Sequence, residues 1–148
     1  MDPSLISMLW SEAVAAEVIV FLFVGPWLLR RIGTRRAAVV AALAGIVRWS
    51  VAGLTTSVWM LSLVQPLHGL TFALLHLACM RIMSTVVPIN VSATAQALYA
   101  FAAAFTTAAL TLASGLVYAR YGGLSFLPMA LLCGVALPVA WFGFAGQR

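Results

Sequence analysis

Five ionisable side chains, Glu12, Glu17, Arg48, His68 and His76, stand inside long apolar stretches of this 148-residue chain. A charge in hydrocarbon costs about 2.5–3.5 kcal/mol even on the mildest insertion scale, so each marks a candidate site by default. The residue types suggest the chemistry. A carboxylate or an imidazole can take up and release a proton near neutral pH, and a guanidinium can hold an anion. A buried group of this kind can also serve only to fix helix packing through a hydrogen bond or an ion pair, and that reading stays open for each.

Depth follows from counting. Glu17 lies thirteen residues before Arg30, and Arg48 lies twelve after Arg36. At the rise of an α-helix both stand roughly 18–20 Å from the intervening segment, so an acid and a base share one level and are expected to pair. Gln65, His68, Phe72 and His76 recur at i, i+3, i+7 and i+11, which places them on one polar-aromatic stripe. His68 falls near the middle of its apolar run, where an imidazole suits a coupled proton. Gln96, Tyr99, Thr106 and Thr107 form a comparable face further on, able to bind a polar solute or to bond between helices. Glu12 is about 140° around the helix from Glu17, so the two need not share a site.

The elements that must carry these residues are membrane helices. The chain is 64% hydrophobic and 7% charged, too apolar to face water on all sides. About 20 residues cross a bilayer as a helix, and five runs of that size are read at 5–29, 37–56, 58–83, 91–118 and 124–144. The fold class is therefore an all-α membrane protein of about five transmembrane helices in a single domain, 1–148. The runs lack the period-two alternation of a membrane barrel.

All eight basic residues are Arg, and four of them (Arg30, Arg31, Arg35, Arg36) crowd around Gly33 in one gap. The positive-inside rule accounts for that cluster without a nucleic-acid partner and makes 30–36 a cytoplasmic loop. Alternation then puts the N-terminus outside and the C-terminus, with Arg148, in the cytoplasm; only Arg120 falls outside. Helix four, rich in Ala from Ala93 to Ala104, is expected to pack inside the bundle. Pro66, Pro128 and Pro138 should bend their helices. Cys79 and Cys133 have no metal-ligand spacing and read as packing residues. No HExxH pair and no nucleophile elbow occurs, so no catalytic residue, metal or cofactor is assigned and the chain is not read as an enzyme.

Several of these stretches, taken in order, carry a family likeness. Leu9-Trp10-Ser11-Glu12 through Ala16-Glu17-Val18, Arg30-Arg31-Ile32-Gly33-Thr34-Arg35-Arg36, Val47-Arg48-Trp49, His68-Gly69-Leu70-Thr71 with His76, and Thr94-Ala95-Gln96-Ala97-Leu98-Tyr99 resemble the second half of major facilitator superfamily transporters. The similarity is to the phenylpropionate-permease-like branch, related to lactose permease. It covers nearly the whole chain but only the last five helices of a twelve-helix family, a partial C-terminal six-helix bundle. Arg30 stands where the family's loop motif has an acid, and no acid follows His68 on its helix.

The resemblance implies proton coupling and substrate recognition for Glu17, Arg48 and His68, with Glu17 as the proton carrier. His76, Gln96 and Tyr99 are further binding candidates. It implies a fragment or split half of a secondary transporter in the inner (cytoplasmic) membrane. That transporter would move a small organic solute such as an aromatic acid with protons, by alternating access, and its partners would be the bilayer and the missing N-terminal half. A non-transporting scaffold, an accessory subunit or an inactive truncated relic is the alternative.

Overall fold

A computed structural model describes residues 2–143, and Phe144 and Arg148, which close the sequence-based reading, lie outside the described residues. The chain is an all-α, multi-pass membrane protein. Asp2 caps the first helix by accepting a hydrogen bond from the Ser4 N–H at 3.0 Å, with Pro3 in the first turn where its missing donor costs nothing.

Among the described residues, the unbroken helical stretches apolar enough to cross a membrane number three, not about five: Pro3–Leu54, Val58–Val86 and Ile89–Gly143. The first and third run to 52 and 55 residues, or about 80 Å, more than twice a bilayer core. Each contains a glycine at positive φ, Gly33 (φ 76°, ψ 171°) and Gly122 (φ 57°). Side chains with a Cβ rarely adopt that backbone, so a single glycine turns the chain with almost no loop. The sequence reading gives residues 30–36 to a connection; in the structure Arg30–Ile32 and Thr34 onward are helical, Thr34 is buried, and Gly33 alone is the joint.

Divided at these glycines, the chain has five helical legs. Helix 1 is residues 3–32, helix 2 residues 34–54, helix 3 Val58–Val86, helix 4 Ser92–Tyr121 and helix 5 Leu127–Gly143. Helices 1 and 3 lie side by side in the same sense: Glu12 meets Ser62, Glu17 meets His68, and Leu29 meets Arg81. Helix 2 runs against helix 5, with Gly53 beside Leu127, Gly45 beside Cys133 and Arg35 beside Trp141. The core forms where helices 1, 2 and 3 converge, around Val20, Leu29, Ala37, Ala73, Leu74 and Ala78.

Close approach requires small residues. Any Cβ added at Gly69 would stand 2.7 Å from Val20 Cγ2 and 2.8 Å from the Ala16 carbonyl oxygen, so helices 1 and 3 touch there backbone to backbone. Beside this contact each of the two helices widens into one π turn, Val20–Val24 in helix 1 and Leu70–Leu74 in helix 3. Such turns insert a residue into the α-helical ladder and concentrate at functional sites.

Two expectations need correction. The Ala-rich helix 4 is not packed inside the described chain: none of its residues from Ser92 to Tyr121 is buried there. Its small side chains permit close packing, but no second helix of the described chain covers them. Pro128 does not bend helix 5, because it stands in the first turn after a 3-10 segment, Gly122–Phe126, where proline is tolerated. Pro66 does interrupt helix 3, between Val58–Val64 and Leu67–Gly69, and Pro138 lies inside helix 5.

Candidate functional site

The parallel packing of helices 1 and 3 brings Glu17 to His68. Glu17 Oε2 stands 3.4 Å from His68 Nε2, with about a fifth of each side chain exposed. Nδ1 of His68 is buried and has no partner among the described residues. With Nε2 protonated, His68 can donate from Nε2–H to the carboxylate. An acid and an imidazole thus meet between two apolar helices.

The expected Glu17–Arg48 pair does not form. Among the described residues Glu17–His68 is the one acid–base contact within 4.0 Å, and the Arg48 guanidinium instead lies over the ring of its neighbour Trp49, 4.7 Å from the centroid. Trp49 in turn stacks on Phe126 at 5.7 Å. Equal depth is not adjacency, because the lateral neighbour of Glu17 is set by which helix lies against helix 1. That neighbour is helix 3.

The stripe on helix 3 is realised as a stack. Trp10 of helix 1 lies 6.3 Å from His68; His68 and Phe72 are nearly parallel at 5.9 Å, and Phe72 and His76 likewise at 6.4 Å. Phe21 presents its edge to His76 at 5.8 Å. From helix 4, the Tyr99 hydroxyl comes within 3.4 Å of His76 Nδ1, a long contact near the limit of a hydrogen bond. Between helices 3 and 4 runs a groove of about 600 Å³ bordered by Thr71, Phe72, His76, Gln96 and Tyr99. Aromatic edges with a few polar groups make a surface suited to a small amphipathic solute. Thr106 and Thr107 are exposed and line neither of the two hollows described.

Two features escape the sequence reading. Trp10 joins the stack, and Glu12 accepts from the Ser62 hydroxyl, whose oxygen lies 2.9 and 2.8 Å from the two carboxylate oxygens. Both border the helix 1–helix 3 contact at the end away from the arginines, and a hollow of about 500 Å³ opens beside Glu12, Ser62 and Pro66. The signal was a register: once Glu17 faces His68, parallel packing carries Glu12 to Ser62.

The arginine cluster occupies the opposite end. Arg35 lies 3.7 Å over the Trp141 ring and Arg31 5.9 Å from that of Trp27, while Arg30 and Arg36 are exposed. Arg81 joins them by donating from Nη1 to the Leu29 carbonyl oxygen at 3.1 Å.

Helical legs long enough to cross a bilayer, with an acid and an imidazole paired between two of them, define a multi-pass membrane protein with an intramembrane polar site. The chain belongs to the MFS_1 like family, whose model matches residues 1–127. It is 37% identical over 135 residues to the "Probable 3-phenylpropionic acid transporter" of Escherichia coli (strain K12), an alignment covering 91% of this chain and 35% of that protein. The chain thus spans about a third of the length of the curated relative it matches. No solved structure matches it.

Proposed function

We propose that this chain is a fragment or split half of a proton-coupled secondary transporter for a small organic acid. The observation that carries the reading is the Glu17–His68 contact at 3.4 Å between two membrane helices. A carboxyl and an imidazole in contact can exchange a proton, and binding or release of that proton changes the charge of the pair. Arg48, with no carboxylate within 4.0 Å among the described residues, supplies a cation for the anionic head of the solute. The groove at Phe72, His76, Gln96 and Tyr99 supplies an aromatic and amide surface for its body. The acid for which the relative is named, 3-phenylpropionic acid, has both parts.

Both hollows lie open on the isolated chain, and a solute pathway needs walls on all sides. Alternating access in this reading requires the helices that the chain lacks relative to its relative. Reconstituted alone in liposomes, the chain should show no pH-driven uptake of phenylpropionate; supplied in trans with the remaining helices of the relative, it should. In that assembly Glu17→Gln should abolish uptake driven by a pH gradient and leave solute exchange, which needs no net proton release. Uptake by the chain alone would overturn the split-half reading, and undiminished pH-driven uptake with Glu17→Gln would remove Glu17 from coupling. A non-transporting accessory role is the second reading, favoured by helix 4, none of whose residues is buried, and an assembly that forms but moves nothing would support it.

A further inference from the structure

Charge is divided between the ends of this molecule in a way that proton coupling does not use. Arg30, Arg31, Arg35 and Arg36 flank the joint at Gly33, and Arg81 is tied to the same end through the Leu29 carbonyl. No carboxylate accompanies them among the described residues. Asp2 starts helix 1 at the other end, Glu12 accepts from Ser62, and Glu17 faces His68. Among the described residues, therefore, the five guanidinium groups at this end have no carboxylate partner.

The geometry within the cluster is more specific than a diffuse positive charge. Arg35 Cζ lies 3.7 Å from the centroid of the Trp141 ring, a cation–π contact that holds the guanidinium in place. Its Nε is buried with no acceptor among the described residues. Buried donors normally find a partner, and a planar fork held in place is the arrangement that grips a phosphate by two parallel bonds. The flanking rings indicate where that phosphate comes from. Trp27 and Trp141 are about half exposed at this end, and tryptophans so placed lie at headgroup level in a bilayer.

We propose that the arginine end binds the phosphodiester headgroup of an anionic phospholipid, with Arg35 on Trp141 as its fixed fork and Arg31 and Arg36 as neighbouring cations. The inference is independent of the transport reading. It differs from general attraction of basic residues to an anionic surface in requiring a guanidinium at position 35 rather than any positive charge.

The test is native mass spectrometry of the 148-residue chain in detergent, titrated with phosphatidylglycerol and, as a neutral reference, phosphatidylcholine. Phosphatidylglycerol should be retained about tenfold more strongly, and Arg35→Gln should remove about tenfold of that preference. Arg36→Gln should lower it about fivefold, as one basic residue near an anionic headgroup does. Arg35→Lys, which keeps the charge and loses the fork, should fall well below the wild type. Arg120→Gln, at the other end, should bind as the wild type does, and far-UV circular dichroism should show equal helicity in all variants. Equal retention of the two lipids would overturn the proposal. So would wild-type binding by Arg35→Lys, which would leave only diffuse charge, or displacement of the lipid by an equal concentration of inorganic phosphate or of an acidic peptide. If Arg35→Gln loses helicity, Arg36→Gln decides by the same readout.

Discussion

Helices 2 and 4 are built from the same small residues and end in opposite environments. Helix 2 buries Ala37, Ala38, Ala41, Ala42, Ala44 and Gly45 between helices 3 and 5, whereas helix 4, with its own long run of alanines, buries nothing. In lipid an alanine gains nothing by leaving the solvent, since hydrocarbon tails are as apolar as its methyl group. What it gains is dispersion contact when another backbone can come close, and that depends on a partner being there. Small-residue content therefore shows that a helix is able to pack closely, and the rest of the molecule decides whether it does.

The comparison breaks most sharply by overfilling each helix in turn. Ala37→Leu, at a position with no exposed surface, should destabilise the chain by about 1–3 kcal/mol in denaturant unfolding in lipid–detergent micelles. Ala104→Leu, exposed on helix 4, should change stability by less than about 0.5 kcal/mol. A comparable cost at Ala104 in the isolated chain would mean that helix 4 is covered after all. Helix 1 sharpens the same lesson, since its polar residue also depends on the neighbouring helix. A double-mutant cycle of Glu17→Gln with His68→Gln should give a coupling of about 1 kcal/mol, and the cycle of Glu17→Gln with Arg48→Gln a value near zero. The reverse ranking would restore the pairing expected from depth. A small effect is expected at the contact from helix 4 to the bundle. Tyr99→Phe removes a contact of 3.4 Å and should cost about 0.5 kcal/mol at most by the same unfolding measurement; a loss of several times that would make it an anchor.

Much of the architecture was legible in the sequence because the lipid constraint is severe. Twenty apolar residues in a row have one way to satisfy their backbone, and the interruptions at Gly33, Thr55–Ser57, Pro88 and Gly122 stand out against them. The polar stripe of His68, Phe72 and His76 was equally plain, since helical periodicity fixes a face within one helix. Lateral order was not legible. Counting residues from Arg30 and Arg36 placed Glu17 and Arg48 at one depth, but depth is one coordinate. The contact of Glu17 with His68 depends on Gly69 admitting the Ala16 backbone, which no pattern within either helix announces. The π turns also leave no mark in composition: Val-Phe-Leu-Phe-Val and Leu-Thr-Phe-Ala-Leu would serve as well in ordinary α-helix.

Those two wide turns act on the pair of helices like matched slips in two meshed gears. One inserted residue throws the far part of a helix out of phase with the near part by about 100°, so a slip in helix 1 alone would turn the end beyond Val24 away from helix 3. With a slip in each helix at the same level, the phases cancel. The partners below the turns, Glu12–Ser62 and Glu17–His68, and the partner above, Leu29–Arg81, remain 50 to 52 positions apart along the whole contact. The Glu17–His68 pair and the arginine end are thereby kept in phase across a region where either helix by itself would lose count.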